Sequence, residues 1–185
     1  MLEIKDTVFN KNPMLILSYL SKNNRKSNMA THVAKELSLS AGSVHAILKS
    51  FEVLGIADSK RIGKAVIYEV DKHNPLIKSF RVFDNLLELQ KLVDALKKYT
   101  RKVILFGSCS RGEDNSESDI DLLIIADEED QDAVLELTGA YAGDRVINPV
   151  IMDEIEFIDM EKSDVVFYKE IMKGIELWDK SSEQN

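Results

Sequence analysis

The chain has 185 residues, of which 44% are hydrophobic, 7% aromatic and 30% charged; this suits one full core or two small ones and excludes collagen-like, low-complexity and disordered classes. No apolar run approaches the roughly 18 to 20 residues of a membrane span, and no signal-peptide pattern opens the chain, so a cytoplasmic location without membrane contact is expected. A formal net charge of -8 is unevenly spread: residues 1–75 carry 11 Lys/Arg against 7 Asp/Glu, and residues 76–185 carry 13 against 25, which points to two functional units. The single cysteine, Cys109, and the scattered His32, His45 and His73 offer neither a disulfide framework nor a zinc cluster.

Asn12-Pro13 reads as an N-cap with proline at the first helical position, followed by the apolar run Met14 to Leu20. A polar break from Ser21 to Asn28 ends this helix. A second helix runs from about Met29 to Leu37, with Met29, Val33 and Leu37 on one face, and a third carries Val44, Ile47, Leu48 and Phe51 inward and stops at Gly55. From Ile56 the periodicity is that of strands: Ile56 to Arg61, a tight Ile62-Gly63-Lys64 turn, then Ala65 to Val70.

Three helices and a β-hairpin form the plan of a winged helix-turn-helix. Residues 12–72, with Val33-Ala34-Lys35-Glu36-Leu37 and Leu48-Lys49-Ser50-Phe51-Glu52-Val53-Leu54-Gly55, resemble the MarR/ArsR-type winged-helix domains of prokaryotic regulators. The resemblance implies double-stranded DNA as partner, with Ser43, His45 and Lys49 facing the major groove and Lys60, Arg61 and Lys64 of the wing contacting phosphates. The competing reading makes these a solvated polar face on a protein-interaction module.

Asn74-Pro75 opens a helical stretch of about 24 residues. Leu76, Phe80, Phe83 and Leu87 form one stripe, and Leu86, Leu89, Val93 and Leu96 another. Either this helix packs on both domains or one stripe meets a second subunit in a homodimer.

The apolar run Lys102 to Phe106 ends at Gly107-Ser108, and Asp119-Ile120-Asp121 heads a second run to Ala126, with a polar, turn-rich spacer between them. Gly107 lets the backbone turn sharply and approach a ligand, Ser108 offers a hydroxyl, and the following N–H groups open a helix whose positive end suits phosphate. Asp119 and Asp121, two apart on an extended chain, point to one face, where paired carboxylates can share Mg²⁺ ions. Gly107 and Gly112 have P-loop separation, but Glu113-Asp114 stand where that motif needs Lys-Ser/Thr, and no G-x-G-x-x-G occurs. Cys109 is either a thiol activated by a helix N-terminus or simply a small residue in a tight turn.

Gly107-Ser108-Cys109-Ser110-Arg111-Gly112 together with Ser118-Asp119-Ile120-Asp121-Leu122-Leu123 closely resembles the signature of the DNA polymerase β-type nucleotidyltransferase superfamily, in particular its minimal (MNT) branch. The resemblance covers about residues 99–180. It implies transfer of a nucleoside monophosphate from a nucleoside triphosphate (NTP) to an acceptor hydroxyl, with Mg²⁺ or Mn²⁺ as cofactor. By position, Gly107 and Ser108 bind the β/γ-phosphates, Arg111 lies near them, and Asp119 and Asp121 are the catalytic metal ligands. Relatives of the minimal branch modify HEPN-type toxins, so an acceptor protein of that kind is a further implied partner.

One departure stands out. Competent relatives place a third carboxylate on the next core strand; here that strand reads Arg145 to Met152 and the aligned position is Asn148. Asp144, Asp153 and Glu154 are the nearby substitutes. In the acidic tail, Ser163 is expected to cap a helix with Val166, Phe167, Ile171 and Met172 toward the core, Gly174 to stop it, and Ile175 to Trp178 to form a final strand. The fold expected is α+β: a winged helix over 1–73, a linker helix over 74–99, and a small mixed α/β nucleotidyltransferase-like domain over 100–185. Three functions follow: an enzyme, a transcriptional regulator that senses nucleotide without turnover, or a scaffold.

Overall fold

The structure, a computed structural model, describes residues 4–23 and 28–184. Residues 24–27 of the expected polar break lie outside the described residues. The fold is mixed α/β with two small sheets, and no helix among the described residues is long and apolar enough to cross a membrane. The chain divides into two compact units, Met1–Arg81 and Val82–Asn185.

In the first unit, α1 (Ile4–Val8) precedes α2 (Lys11–Lys22), which buries Pro13, Ile16, Leu17 and Leu20 on one stripe. Helix α2 starts earlier than the Asn12-Pro13 signal suggests: the extended N-cap is Asn10, and Pro13 sits in the first turn, where its missing N–H removes no hydrogen bond. Helices α3 (Ala30–Glu36) and α4 (Ala41–Val53) follow, with Ser40 capping α4 by accepting from the Ser43 N–H at 3.1 Å. Gly55, at φ +68°, ends α4 in a Schellman arrangement: its N–H donates to Glu52 O (3.1 Å) and Ile56 N–H to Phe51 O (2.8 Å). Ile56 and Ala57 are buried but unpaired in the sheet, so the hairpin is shorter than its apolar pattern: β1 (Asp58–Ile62) pairs with β2 (Ala65–Glu69) around the two-residue loop Gly63-Lys64. Val44, Leu48, Phe51, Val33 and Tyr68 close this core.

Helix α5 (Pro75–Leu96) crosses the division between units. Its buried residues are Ile77, Arg81, Asn85, Leu89, Leu92, Val93 and Leu96. The seam thus steps by four through two polar residues, which an apolar periodicity cannot show. Of the first expected stripe, Phe80 packs on the first core while Leu76, Phe83 and Leu87 stay exposed.

The second unit is built on a four-stranded sheet of order β5-β4-β3-β6, from β3 (Lys102–Phe106), β4 (Ile120–Ile125), β5 (Ile147–Met152) and β6 (Ile175–Asp179). β3 is antiparallel to β4 and β6, and β4 is parallel to β5. β3 and β4 are buried over nearly their whole length because helices cover both faces. On one face, Leu89, Val93 and Leu96 of α5 and Val134 of α7 (Gln131–Gly139) meet Val103, Leu105, Ile120 and Leu122. On the other, Met160 of α8 (Glu154–Ser163) and Ile171 of α9 (Val165–Ile171) meet Ile104, Phe106, Leu123 and Ile125.

The tail differs from its sequence reading. Ser163 ends α8, and Asp164 caps α9 by accepting from the Phe167 N–H at 3.0 Å, since a carboxylate there satisfies an otherwise unpaired helix donor. Ile171 is buried as expected, but Val166 and Met172 are 83% and 57% exposed. Val166 lies five residues before the buried Ile171, about 140° around the helix from it, and so faces outward. Helix α8, absent from the sequence reading, opens with a capping box between Asp153 and Glu156.

Candidate active site

β3 delivers the chain to Gly107, where φ of +70° starts the five-residue helix α6 (Gly107–Arg111); Gly112, also left-handed, ends it. The turn is tied internally, with Ser110 Oγ donating to Gly107 O at 2.9 Å and Glu113 N–H to Ser108 O at 3.0 Å. Phe106 lies in register with Asp121, so the chain leaving β3 passes directly beside the Asp121 carboxylate. A Cβ at Gly107 would overlap Asp121 Oδ2 and lie 3.3 Å from its Cγ. Only glycine combines this backbone angle with this approach.

Asp119 is exposed at the head of β4, and Asp121, half-buried, follows two residues later on the extended chain. The preceding loop is set by Asn115 N–H donating to Ser118 Oγ (3.0 Å) and Glu117 N–H to Asn115 Oδ1 (2.7 Å). Across the parallel β4–β5 pair Asp121 lies in register with Asn148, whose Nδ2 donates to Asp121 Oδ1 at 2.9 Å. An amide therefore stands against the carboxylate. Two of the substitutes do not reach this position: beyond the far end of β5, Asp153 is engaged as a helix cap about 16 Å along the chain and Glu154 faces Arg101 at 3.5 Å about 20 Å along it, at ~3.3 Å per residue. Asp144 is exposed on the loop before β5.

Ser108 is half-buried at the start of α6. Arg111 ends that helix with its guanidinium between two carboxylates, 3.1 Å from Glu113 and also paired with Glu170, which is itself 3.1 Å from Lys173. The hydrogen bond it donates to Glu113 is the first cause of its raised pKa. Cys109 is fully buried, and desolvation, aided by Asp114, pushes its thiol up to about 11. The activated-thiol alternative therefore gives way to the tight-turn one, because burial disfavours the thiolate.

Behind the turn lies a charged cluster that the sequence reading missed. Arg145 donates to Asp114 Oδ2 at 2.8 Å, Asn85 Oδ1 at 2.9 Å and Glu88 Oε2 at 2.5 Å, while Tyr141 Oη donates to Glu88 Oε1 at 2.9 Å. Burial lowers the Arg145 pKa, but the Glu88 hydrogen bond and charge outweigh it, so the guanidinium stays charged. The one sequence signal was Asn85, a polar residue four before Leu89 on the buried seam.

At the opposite end of the strands from this site, a cavity of about 490 Å³ is lined by Arg101, Lys102, Phe157 and Asp179 among others. Two of its cations are already paired, Arg101 with Asp127 and Lys102 with Glu176 and Asp179. Cavity and carboxylate pair do not coincide, and the chemistry-bearing residues favour the latter as the site.

The family described as Polymerase beta, Nucleotidyltransferase matches residues 90–183. The chain belongs to this family. Its matched span begins in the second half of α5 and contains both the Gly107 turn and the Asp119–Asp121 pair. Nucleotidyl transfer is thus the general chemistry supported for the nucleotidyltransferase unit. No curated protein and no solved structure matches the chain.

In the first unit, His45 and Lys49 are exposed on α4 and Ser43 is half-buried. Lys49 Nζ pairs with Glu52 at 2.7 Å, which raises its pKa, and Glu52 also accepts from Ser59 Oγ at 2.5 Å, joining α4 to β1. Lys60, Arg61 and Lys64 are all exposed on the hairpin.

Proposed function

We propose that the chain transfers a nucleoside monophosphate from an NTP to an acceptor hydroxyl, and that its first unit is a winged helix that binds double-stranded DNA. The observation that carries the transferase reading is the convergence of the Gly107 turn on the Asp121 carboxylate. Among the described residues, no group of three or more His, Cys, Asp or Glu side chains forms a closed metal cage. Two carboxylates plus substrate phosphates are nonetheless a donor set that suits Mg²⁺, which keeps much of its water. Asp119 and Asp121 would hold the ion, which when bound neutralises charge on the transferring phosphoryl group. Gly107 and Ser108 receive the β/γ-phosphates through backbone N–H groups and the Ser108 hydroxyl, with Arg111 at the rim of the turn. Rate then comes from alignment of acceptor and leaving group and from fixed electrostatics. The test is transfer of label from α-phosphate-labelled NTPs, with Mg²⁺ or Mn²⁺, into a cleared lysate; an acceptor protein, as with HEPN-type toxins, would be recovered labelled. No transfer from any of the four nucleotides would overturn this reading.

Asn148 favours a second reading, in which nucleotide is bound and sensed without turnover and biases DNA affinity. An amide cannot take the acceptor's proton. Asn148→Asp is therefore expected to raise transfer about 10²-fold, the low end of general-base effects. It also sets a third carboxylate against Asp121, so the variant should unfold at a lower temperature than wild type without divalent ions and gain more from Mg²⁺. Transfer unchanged by this substitution would place the acceptor's base elsewhere.

For DNA, Lys64→Ala is expected to weaken duplex binding and lower the salt slope by about 1, as for one lost phosphate contact. Lys49→Ala should act less on the slope, because Glu52 already offsets its charge. Binding independent of salt would count against the interface. The exposed Leu76, Phe83 and Leu87 of α5 support a homodimer, read by sedimentation.

A further inference from the structure

Arg145 differs from the other charged residues near the site in how completely it is enclosed. Its side chain is 4% exposed and that of its partner Asp114 is 0% exposed. All five of its N–H donors have acceptors: Nε faces Glu88 Oε1 (3.4 Å), Nη1 faces Asp114 Oδ2 (2.8 Å) and Cys109 Sγ (3.5 Å), and Nη2 faces Asn85 Oδ1 (2.9 Å) and Glu88 Oε2 (2.5 Å). None is left to reach a substrate. Asn85 completes the circuit, its Nδ2 donating to Cys109 O at 3.0 Å and Asp114 Oδ1 at 3.2 Å, and the Cys109 thiol donates to Asp119 O at 3.5 Å.

We propose that Arg145 is the positioning residue of the nucleotide site: its fork clamps the Cys109–Asp114 turn to α5 and to the entry of β5, and so holds the phosphate-binding turn in place against the Asp119–Asp121 carboxylates. This rests on the nucleotidyltransfer reading of that site. Helix α6 has only five residues, too few to be stable by its own hydrogen bonds, so its geometry must be imposed from outside. The enclosed Asp114 carboxylate behind it is tolerable only while a cation pairs it. A lysine cannot replace the fork, since a point charge does not bridge Asp114, Asn85 and Glu88 together.

Cys109, the chain's only cysteine, is a reporter of the turn that needs no nucleotide. Alkylation by iodoacetamide would be followed in full-length wild type and Arg145→Lys, the lysine keeping a positive charge beside the thiol. Affinity for the α,β-methylene analogues of the four ribonucleoside triphosphates with Mg²⁺ would be measured by calorimetry on the same proteins. Arg145→Lys is expected to be alkylated at least about tenfold faster, at a rate flat across low urea as local opening requires, and to bind the analogue at least about tenfold more weakly. Alkylation at the wild-type rate, alkylation that tracks global unfolding in urea, or unchanged analogue affinity would overturn the clamp. If wild type binds none of the analogues, the nucleotidyltransfer reading falls, and alkylation alone still decides whether Arg145 holds the turn. Should Arg145→Lys fail to fold, Asp114→Asn carries the same comparison.

Discussion

Asp119→Asn combined with Asp121→Asn is expected to reduce Mg²⁺-dependent transfer at least about 10³-fold while leaving the fold intact, since each 1.36 kcal/mol of lost transition-state stabilisation is a factor of ten and metal neutralisation supplies several. Asp119 is exposed and Asp121 half-buried at the head of β4, so an isosteric amide at either position opens no cavity. Removing two like charges two residues apart should leave thermal stability unchanged or slightly higher without metal. Wild type should gain stability with Mg²⁺, and the variant should not, because a ligand stabilises only what binds it. Label transfer and melting curves with and without Mg²⁺ read both effects; undiminished transfer in the double variant would sink the assignment of these carboxylates.

Gly107→Val is expected to abolish nucleotide binding, with affinity weakened about 100-fold or more. Two causes act together. A β-branched side chain at φ +70° is strained by roughly 1–3 kcal/mol, and its Cβ must displace the Asp121 carboxylate. One substitution thus disturbs both the Gly107 turn and the Asp121 carboxylate. Gly55→Ala gauges the backbone cost alone: φ there is +68°, but no atom lies within 4 Å of an added Cβ, so only backbone strain of about 1 kcal/mol is expected, read as a lower melting temperature with nucleotide binding unchanged. Calorimetric titration of both variants checks this, and wild-type affinity in Gly107→Val would remove the turn from the site.

Local chemistry was legible in the chain. The strand–Gly-Ser–spacer–Asp-x-Asp order, the helix stop at Gly55, the hairpin turn around Gly63, though with Ile62 in the strand rather than the turn, and the final strand all follow from rules acting over a few residues: backbone angles only glycine adopts readily, side-chain alternation along strands, and polar caps on helix ends. Cap positions slipped by a residue or two where several candidates adjoin, as at Asn10 against Asn12 and Asp164 against Ser163, because each can satisfy the same first-turn donors and packing selects among them.

The inventory of the candidate site was readable along the chain: a glycine turn, two carboxylates two residues apart, and an amide on the neighbouring strand. Tertiary structure alone decided that Asn148 faces Asp121 across β4 and β5, that Gly107 presses on the same carboxylate, and that Asn85, Glu88, Asp114 and Arg145 meet behind the turn. These partners are separated by up to 60 residues, and no local periodicity encodes such a pairing. They meet because the sheet aligns the strand ends and the interior tolerates charge only when every group there is paired.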